Sequence, residues 1–207
     1  MVAGALLAAA IPAAAQEKPV AFSVGAIIVG PLSDSGRQFT PGLGVDVGAD
    51  WHLTEQAGLR FDFAATMLGT RDAPSYPASV PVDVTPRMQF GTANFFFRSP
   101  PDKIRIFVTG GGGLYHRTVG LSTSASGPIT ICNPWWFVCY PTPVAAAQVN
   151  GTRSSTDFGM NAGAGIGAGR FFAEMRYHFV WGPTYTLPKG ETPASGKFLT
   201  MVIGVRF

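Results

Sequence analysis

The sequence predicts an all-β fold, an eight-stranded antiparallel up-and-down barrel that crosses a membrane with its strands. From Val20 onward the apolar residues recur with period two, the alternating segments are long, and the connections between them alternate between short and long. Most segments exceed the ~5–6 residues usual in soluble sheets and match the ~9–11 residues of a tilted transmembrane strand. The predicted strands are Val20–Leu32, Pro41–Leu53, Gln56–Gly69, Val84–Arg98, Lys103–Arg117, Thr156–Ala168, Arg170–Trp181 and Gly196–Phe207.

Composition narrows the class of protein. The 207 residues suit one domain, and charged residues make up only 13% of them, whereas soluble domains carry about 25%. The net charge of +3 is small and the basic residues are scattered, which argues against a nucleic-acid-binding surface. We therefore expect membrane lipid as a partner and no nucleic acid.

The N-terminal segment reads as an export signal. Residues 1–15 form an apolar run that ends in Ala13-Ala14-Ala15, a small-residue cleavage site, so Gln16 is the expected first mature residue. The run is too short to span a bilayer as a helix. It lacks the positively charged start of such signals, which suggests that the segment is truncated. We expect a barrel domain over 16–207.

The lengths of the connections predict which end of the barrel each lies on. Short turns are expected at Thr54-Glu55, at 99–102 and near Gly169, because these stretches hold turn-forming residues. The long connections are 33–40, 70–83, 118–155 and 182–195. In an up-and-down barrel all the short turns lie at one end and all the long loops at the other, the asymmetry of outer-membrane barrels.

In four of the predicted strands, in the stretches GVDVGADWHL, LRFDFAATM, KIRIFVTG and RFFAEMRYHFVW, the charged residues share one parity, opposite to most of the large apolar residues. In RFFAEMRYHFVW, for example, Glu174, Arg176 and His178 alternate with Met175, Tyr177 and Phe179. A basic residue on the lipid face costs about 2–4 kcal/mol near mid-membrane, so the charged parity is predicted to face the lumen. Both signs occur there, and we expect them to pair and close the lumen. The predicted lumen charge network is Asp46, Asp50, Arg60, Asp62, Arg105, Asp157, Glu174, Arg176 and Arg206.

Two details of the faces complete this prediction. Four glycines of the sixth predicted strand share the inward parity and are expected to leave room for long side chains of neighbouring strands: Gly159, Gly163, Gly165 and Gly167. Three aromatic residues are expected in the girdles at the membrane interfaces: Trp51, Tyr177 and Trp181. The fourth predicted strand is less regular, because Arg87 and Gln89 fall on its outward parity. Either they lie above the bilayer or a β-bulge shifts the phase.

These patterns resemble the family of small eight-stranded outer-membrane β-barrel domains, similar to the transmembrane domain of outer membrane protein A. The export signal, the strand RFFAEMRYHFVW and the closing KFLTMVIGVRF carry the resemblance. It implies the bacterial outer membrane as location, outer-membrane lipid as partner, and a monomer. It also implies that Phe207 is the signal read by the barrel-assembly machinery, and nothing after Phe207 suggests a peptidoglycan-binding domain.

The longest predicted loop contains the two cysteines. Cys132 and Cys139 flank NPWWFV, and in an exported chain they predict a disulfide. The disulfide would close a small loop that carries Trp135, Trp136 and Phe137. These aromatic residues are either part of a local staple or a contact tip for a partner or the outer leaflet.

The sequence predicts neither catalysis nor a cofactor nor a metal site. The stretch from Gly163 to Ala168 fits a loose dinucleotide pattern, but an alternating strand follows it where a helix is required. Some barrels of the resembled family are lipid-modifying enzymes, including a deacylase with a His/Ser pair, but Val180 stands two residues after His178. We expect a non-enzymatic structural or surface-interaction protein. The alternatives are a narrow porin-like channel for small solutes or hydrophobic molecules, a lipid-modifying enzyme, and a soluble β-barrel binder.

Overall fold

The computed structural model describes residues 19–32, 39–70, 75–76, 82–100, 102–123, 127–133, 138–144, 149–182, 184–187, 190–193 and 195–207. All regular structure in these ranges is β-strand. The strands are β1 Val20–Leu32, β2 Phe39–His52, β3 Ala57–Thr70, β4 Ser75–Tyr76, β5 Val82–Arg98, β6 Arg105–Thr123, β7 Gly127–Asn133, β8 Val138–Val144, β9 Val149–Ala168, β10 Phe171–Val180, β11 Thr184–Leu187, β12 Gly190–Pro193 and β13 Gly196–Arg206. Among the described residues, no helix is long and apolar enough to span a membrane.

Eight of the strands close into an antiparallel barrel in the order β1-β13-β10-β9-β6-β5-β3-β2. The first and last strands complete the ring, with Ser23 opposite Arg206 and Leu32 opposite Lys197. Closure leaves no unpaired strand edge, which a membrane interior requires because it offers the backbone no water. The predicted fold, an eight-stranded antiparallel up-and-down barrel, is confirmed.

The three short turns lie together at one end of the barrel. At the β2–β3 turn the Thr54 hydroxyl accepts a hydrogen bond from the backbone N–H of Ala57 at 2.9 Å. The β9–β10 turn places Gly169 at a φ of 59°, a left-handed conformation that glycine adopts without steric cost. The last residue lies at the same end, where its N–H donates to the carbonyl of Phe22 at 2.8 Å. By the asymmetry of outer-membrane barrels this is the periplasmic end.

The strands at the opposite end extend further than predicted. We expected a loop over 118–155, but β6 and β9 stay paired as far as Thr123 and Val149. Pairing continues there because backbone hydrogen bonds need no apolar face, so a hydrophobic period does not report it. At ~3.3 Å per residue and ~40° tilt, β6 covers about 45 Å along the barrel axis, against an apolar band of about 25 Å.

The long connections carry strands of their own. β7 and β8 pair within the third long connection, and β4 of the second connection joins them in a three-stranded sheet. β11 and β12 form a hairpin in the fourth connection. The third connection, expected as one long loop over 118–155, thus contains strands of its own, and the second and third connections meet in one sheet beside the eight barrel strands.

Side chains alternate around the barrel wall as the parity predicted. Large apolar residues are exposed on the outer surface, where they form a belt that contacts lipid. The belt includes Val45, Val47, Phe61, Phe63, Phe95, Phe97, Ile106, Val108, Phe158, Met160, Ile166, Met175, Met201 and Ile203. The buried residues face inward, so the core of this protein is the lumen of its barrel.

Arg87 and Gln89 lie on the outer face, since both are exposed. The register of β5 with β6 continues past both residues without a shift, and its register with β3 is regular up to Arg87, where that pairing ends. The bulge considered for this strand is therefore wrong. Arg87 lies ten residues before Phe97 in the sequence, which is about 25 Å along the barrel axis for a strand tilted by ~40°. It therefore lies at the edge of the apolar band that faces the long connections.

Candidate functional site: the barrel lumen

An ion-pair layer crosses the lumen at its middle. We give this name to the side chains of Asp50, Arg60, Asp62, Glu174, Arg176 and Arg206. Register places Asp50 of β2 directly opposite Arg60 of β3, and Nε of Arg60 donates to Oδ1 of Asp50 at 2.6 Å. On its other side Nη1 of Arg60 donates to Oε2 of Glu174 at 2.7 Å.

The strands that carry Arg60 and Glu174 lie on opposite walls. β3 and β10 are four positions apart in the closed ring of eight, so this ion pair spans the diameter. A second pair crosses in the reverse sense, since Nη1 of Arg176 on β10 donates to Oδ2 of Asp62 on β3 at 2.9 Å. Arg176 also donates to Oε1 of Glu174, from Nη2 at 2.7 Å and from Nε at 3.0 Å. The two walls therefore hold each other through two reciprocal ion pairs.

Neutral side chains donate further hydrogen bonds to the carboxylates of this layer. The Thr109 hydroxyl donates to Oε1 of Glu174 at 2.8 Å, and the Asn94 amide donates to Oδ2 of Asp62 at 2.9 Å. Buried charges are tolerated when opposite charges and hydrogen bonds both reach them. Threonine and asparagine were missed by the sequence reasoning, which followed charge alone, although both share the inward parity.

The ion-pair layer ends toward the periplasm in two aromatic rings. Nε of Arg206 lies 3.0 Å from Oδ2 of Asp50. The guanidinium carbons of Arg60 and Arg206 lie 5.4–5.8 Å from the ring centres of Phe107 and Phe172. These are cation–π distances. The rings thus contact two of the arginines on the side facing the periplasmic mouth.

Above the ion pairs, toward the long connections, the lumen contains an apolar layer. We use this name for the buried side chains of Phe39, Met88, Phe90, Tyr115, Val119, Val180 and Phe198. Phe90 stacks on Tyr115 with ring centres 5.3 Å apart. An eight-stranded barrel has an interior just wide enough for side chains to fill, and this layer places aromatic and aliphatic groups in it.

His178 lies where the two layers meet, pointing inward as predicted. Its Nδ1 is 2.7 Å from the Tyr115 hydroxyl and its Nε2 is 3.0 Å from the Thr200 hydroxyl. The single hydroxyl proton of Thr200 goes to the carbonyl of Arg176. Nε2 therefore donates to Thr200 and Nδ1 accepts from Tyr115, so this buried imidazole is neutral with both nitrogens bonded.

One further ion pair lies beside the apolar layer. Arg117 is fully buried, and its Nε and Nη2 both donate to Oδ2 of Asp157, which also accepts from Ser155 at 2.7 Å. Arg117 was missed by the sequence reasoning. Its odd parity, shared with Arg105 on the same strand, was the signal that could have identified it.

The structure places all nine residues of the predicted network on the inward face, although they do not form one cluster. Six of them make the ion-pair layer, and Asp157 pairs with Arg117 above it. Asp46 is buried on the inward face of β2, next to the layer. Arg105 lies at the periplasmic mouth, where it lines a cavity.

Glycines on β9 make room for the inward side chains, as expected. A Cβ on Gly159 would lie 2.6 Å from the Tyr115 ring, and one on Gly163 would lie 3.0 Å from Cβ of Arg176. Any larger residue would displace groups of both layers. Gly159, Gly163 and Gly165 therefore serve packing, as expected for close strand approach, whereas a Cβ on Gly167 would lie at an ordinary contact distance of 3.6 Å from the carbonyl of Phe171.

Some of the features predicted outside the lumen lie within the described residues and others do not. Register sets Cys132 of β7 directly opposite Cys139 of β8, a placement that suits a disulfide, and the disulfide stays a prediction. The signal segment 1–15 and the tip residues Trp135, Trp136 and Phe137 lie outside the described residues. The expected girdle residues Trp51, Tyr177 and Trp181 are exposed on the outer surface.

Phe207 is exposed at the periplasmic end. Its backbone pairs with Phe22 through two hydrogen bonds, 2.8 and 3.3 Å long. This pairing fixes the last residue at the seam between the first and last strands. Its role in assembly stays a prediction.

Comparison with known proteins identifies relatives by structure alone. No family model and no curated protein matches the sequence. The attachment invasion locus protein Ail of Yersinia pestis, in complex with the heparin analogue sucrose octasulfate, is 14% identical with a TM-score of 0.50, over 91% of this chain and 97% of Ail. Neisserial surface protein A is 11% identical over 91% and 96% of the chains, with a TM-score of 0.48. The N-terminal β-barrel domain of OprF from Pseudomonas aeruginosa is 19% identical over 93% and 100%, with a TM-score of 0.45.

At such identities the likeness to Ail concerns the fold. The lipid-facing apolar belt is an independent observation, because a soluble barrel would expose polar residues there. Belt and fold together support the predicted location in the bacterial outer membrane. The chain has the fold of the small eight-stranded outer-membrane β-barrels that its sequence resembles.

Proposed function

We propose that this protein is a non-enzymatic outer-membrane barrel with a closed lumen, which holds a contact surface outside the cell. The observation that carries the proposal is the pair of reciprocal ion pairs across the lumen, Arg60 with Glu174 and Arg176 with Asp62, 2.7 and 2.9 Å long. They join opposite walls at the level where a solute would have to pass. The apolar layer fills the lumen above them.

A surface role is supported by how far the strands reach beyond the membrane. β5, β6 and β9 carry the sheet of β4, β7 and β8 above the apolar band. The sequence from 118 to 152 contains no charged residue. A long uncharged segment that includes Trp135, Trp136 and Phe137 favours contact with an apolar or neutral partner surface.

The likeness to Ail does not extend to a sulfated ligand. Ail was crystallised with a heparin analogue, and a polyanion of that kind requires a basic surface. The four long connections predicted from the sequence, 33–40, 70–83, 118–155 and 182–195, contain equal numbers of both charges, and Arg87 and Lys197 lie just outside these ranges. The acidic residues are Asp34, Asp72, Asp83 and Glu191, and the basic residues are Arg37, Arg71, Arg153 and Lys189. The proposed partner is therefore neutral.

The proposal that the protein is not an enzyme rests on the burial and the hydrogen bonds of His178 in the lumen. His178 is 1% exposed. Both of its ring nitrogens are hydrogen-bonded to buried hydroxyls, those of Tyr115 and Thr200. A general base must reach a substrate proton, which this imidazole does not. Lipid analysis of cells that express the protein tests the point, because new acyl patterns would contradict it.

Conductance in planar bilayers tests the closed lumen. We expect the purified, heat-modifiable barrel to give no unitary steps, while a large porin inserted in the same bilayers gives them. Stable unitary steps would contradict the closed lumen and favour the narrow channel. Recovery of the protein in a soluble fraction without detergent would contradict the membrane location.

The contact surface is tested by replacing Trp135, Trp136 and Phe137 with serine together. We expect the variant to reach the outer membrane and to keep its heat-modifiable migration, because in the sequence these residues fall between β7 and β8 and belong to none of the eight barrel strands. Adhesion of cells to surfaces and resistance of the envelope to detergent are measured against the native chain. Unchanged values in both assays would contradict a contact role for this tip.

A further inference from the structure

A cavity of about 360 Å³ opens at the periplasmic mouth of the barrel. Four arginines from separate segments line it: Arg98 of β5, Arg105 of β6, Arg170 of the β9–β10 turn and Arg206 of β13. Among the described residues that line it, Asp102 has the single acidic side chain. Four guanidinium groups thus surround one small space.

A count of charged side chains that includes the adjoining ion-pair layer still gives an excess of positive charge. Asp50 of the ion-pair layer lies 3.0 Å from Arg206, which brings the nearby balance to four cations against two carboxylates. Nε of Arg98 donates to the backbone carbonyl of Glu55 at 2.7 Å, a contact that removes no charge. The other members of the ion-pair layer are balanced, with Arg60 and Arg176 against Asp62 and Glu174, so the excess belongs to the mouth. The guanidinium fork matches the oxygens of a phosphate group.

The apolar part of the cavity wall continues from the lumen to the lipid face. Phe107 and Phe172 line the cavity from the lumen, where both are buried. Phe171 and Phe207 line it too, although they lie on the outer surface and are 69% and 63% exposed. The cavity therefore reaches over the barrel rim toward the inner leaflet. An occupant that fits has an anionic head for the arginines and an apolar tail for the exposed rings.

We propose that this cavity binds the phosphate group of an anionic phospholipid from the periplasmic leaflet of the outer membrane. Arg105 and Arg170 hold the phosphate at the mouth, and the acyl chains descend past Phe171 and Phe207 along the barrel wall. The volume of about 360 Å³ lies at the lower end of the range for small-molecule sites, which suits a headgroup. The site differs from the general lipid contact of the apolar belt because it selects charge.

The test is native mass spectrometry of the detergent-solubilised full chain with three probes. These are dihexanoyl phosphatidylglycerol, dihexanoyl phosphatidylcholine, and glycerophosphoglycerol, which keeps the headgroup and lacks the chains. We expect the anionic lipid to bind at least about tenfold more tightly than the other two, because the arginines repel the cationic choline of phosphatidylcholine and because glycerophosphoglycerol has no acyl chains to contact the exposed rings. The double variant Arg105→Gln/Arg170→Gln should lose that preference. Arg87→Gln, an arginine at the far end of the barrel, is the matched control and should keep it.

Each other result overturns the proposal. Equal binding of the two lipids, or an equal loss in Arg87→Gln, would mean that the mouth does not select an anionic head. Binding of glycerophosphoglycerol as tight as that of the lipid would assign the site to a soluble phosphate compound instead. Should the double variant lose heat-modifiable migration, the single variant Arg170→Gln is used, because this exposed turn residue lies apart from the ion-pair layer. An unchanged lipid preference in that folded variant would also overturn the assignment.

Discussion

The two layers of the lumen fill the same barrel by different physical means. The ion-pair layer joins opposite walls through Arg60, Asp62, Glu174 and Arg176, each with specific partners at 2.6–3.0 Å. The apolar layer fills the space above through contact among side chains such as Met88 and Phe198, which are 1% and 0% exposed. The first layer depends on direction and charge, and the second on volume.

This difference has a consequence for tolerance to substitution. Removing one partner of a buried ion pair leaves an uncompensated charge, whereas an apolar core accepts exchanges that conserve volume. The barrel should therefore be sensitive to small chemical changes at its middle and tolerant of them nearer the outside of the cell. Three substitutions test this contrast.

The largest effect is expected for Arg60→Met, which breaks the ion-pair layer. The change keeps an apolar stem but leaves Asp50 and Glu174 without their shared arginine, and we expect a loss of about 3–5 kcal/mol of unfolding free energy. Urea unfolding in lipid vesicles, followed by tryptophan fluorescence, measures it. The control Arg87→Met removes an outward arginine at the membrane edge, where the change should be only about 0–1 kcal/mol. Equal losses in both variants would contradict a special role for the layer.

An intermediate effect is expected where the two layers meet. Tyr115→Phe removes the hydroxyl that donates to Nδ1 of His178, and a buried acceptor left unpaired costs about 1–3 kcal/mol. The same unfolding assay measures the loss. The control is Tyr177→Phe, which changes a tyrosine next to His178 in the sequence but on the outer face of β10. Its unfolding free energy should stay within about 0.5 kcal/mol of that of the native chain. If the two variants were equally stable, the Tyr115–His178 contact would contribute nothing.

The smallest effect is expected within the apolar layer. Met88→Leu conserves volume, and such exchanges usually cost less than about 1.5 kcal/mol. The exchange of Glu174 for the isosteric glutamine in the ion-pair layer provides the comparison, because Arg60 and Arg176 would lose the charge of their common acceptor. The contrast between the layers would fail if Met88→Leu proved the more damaging of the two in the unfolding assay.

The alternation of the sequence was sufficient for much of the fold. Eight strands, the lipid-facing parity and the inward orientation of residues such as Arg60, Glu174 and His178 follow from a period of two, because a strand sends successive side chains to opposite faces. The same reasoning failed at β6 and β9, whose upper parts lie beyond the membrane. No lipid imposes an apolar face there, so strand pairing leaves no hydrophobic period to detect.

The candidate site was predicted less completely than the fold. Charge and parity identified nine inward residues but missed Arg117, and they could not identify Asn94, Thr109 and Thr200 as partners, since neutral polar residues occur on many faces. The arginine cavity at the mouth was also beyond the sequence. Arg98, Arg105, Arg170 and Arg206 come from segments up to 108 positions apart in the printed numbering.

The sequence by itself determined which side chains face lipid and which face inward, since that choice depends only on the two-residue period of a strand. Only the tertiary structure decided which inward charges meet. Arg60 and Glu174 are 114 residues apart, as are Asp62 and Arg176. They pair because ring closure sets β3 and β10 on opposite walls, at a stagger fixed by the registers of the strands between them. Partner choice across a lumen is thus a property of closure and register, which no single strand encodes.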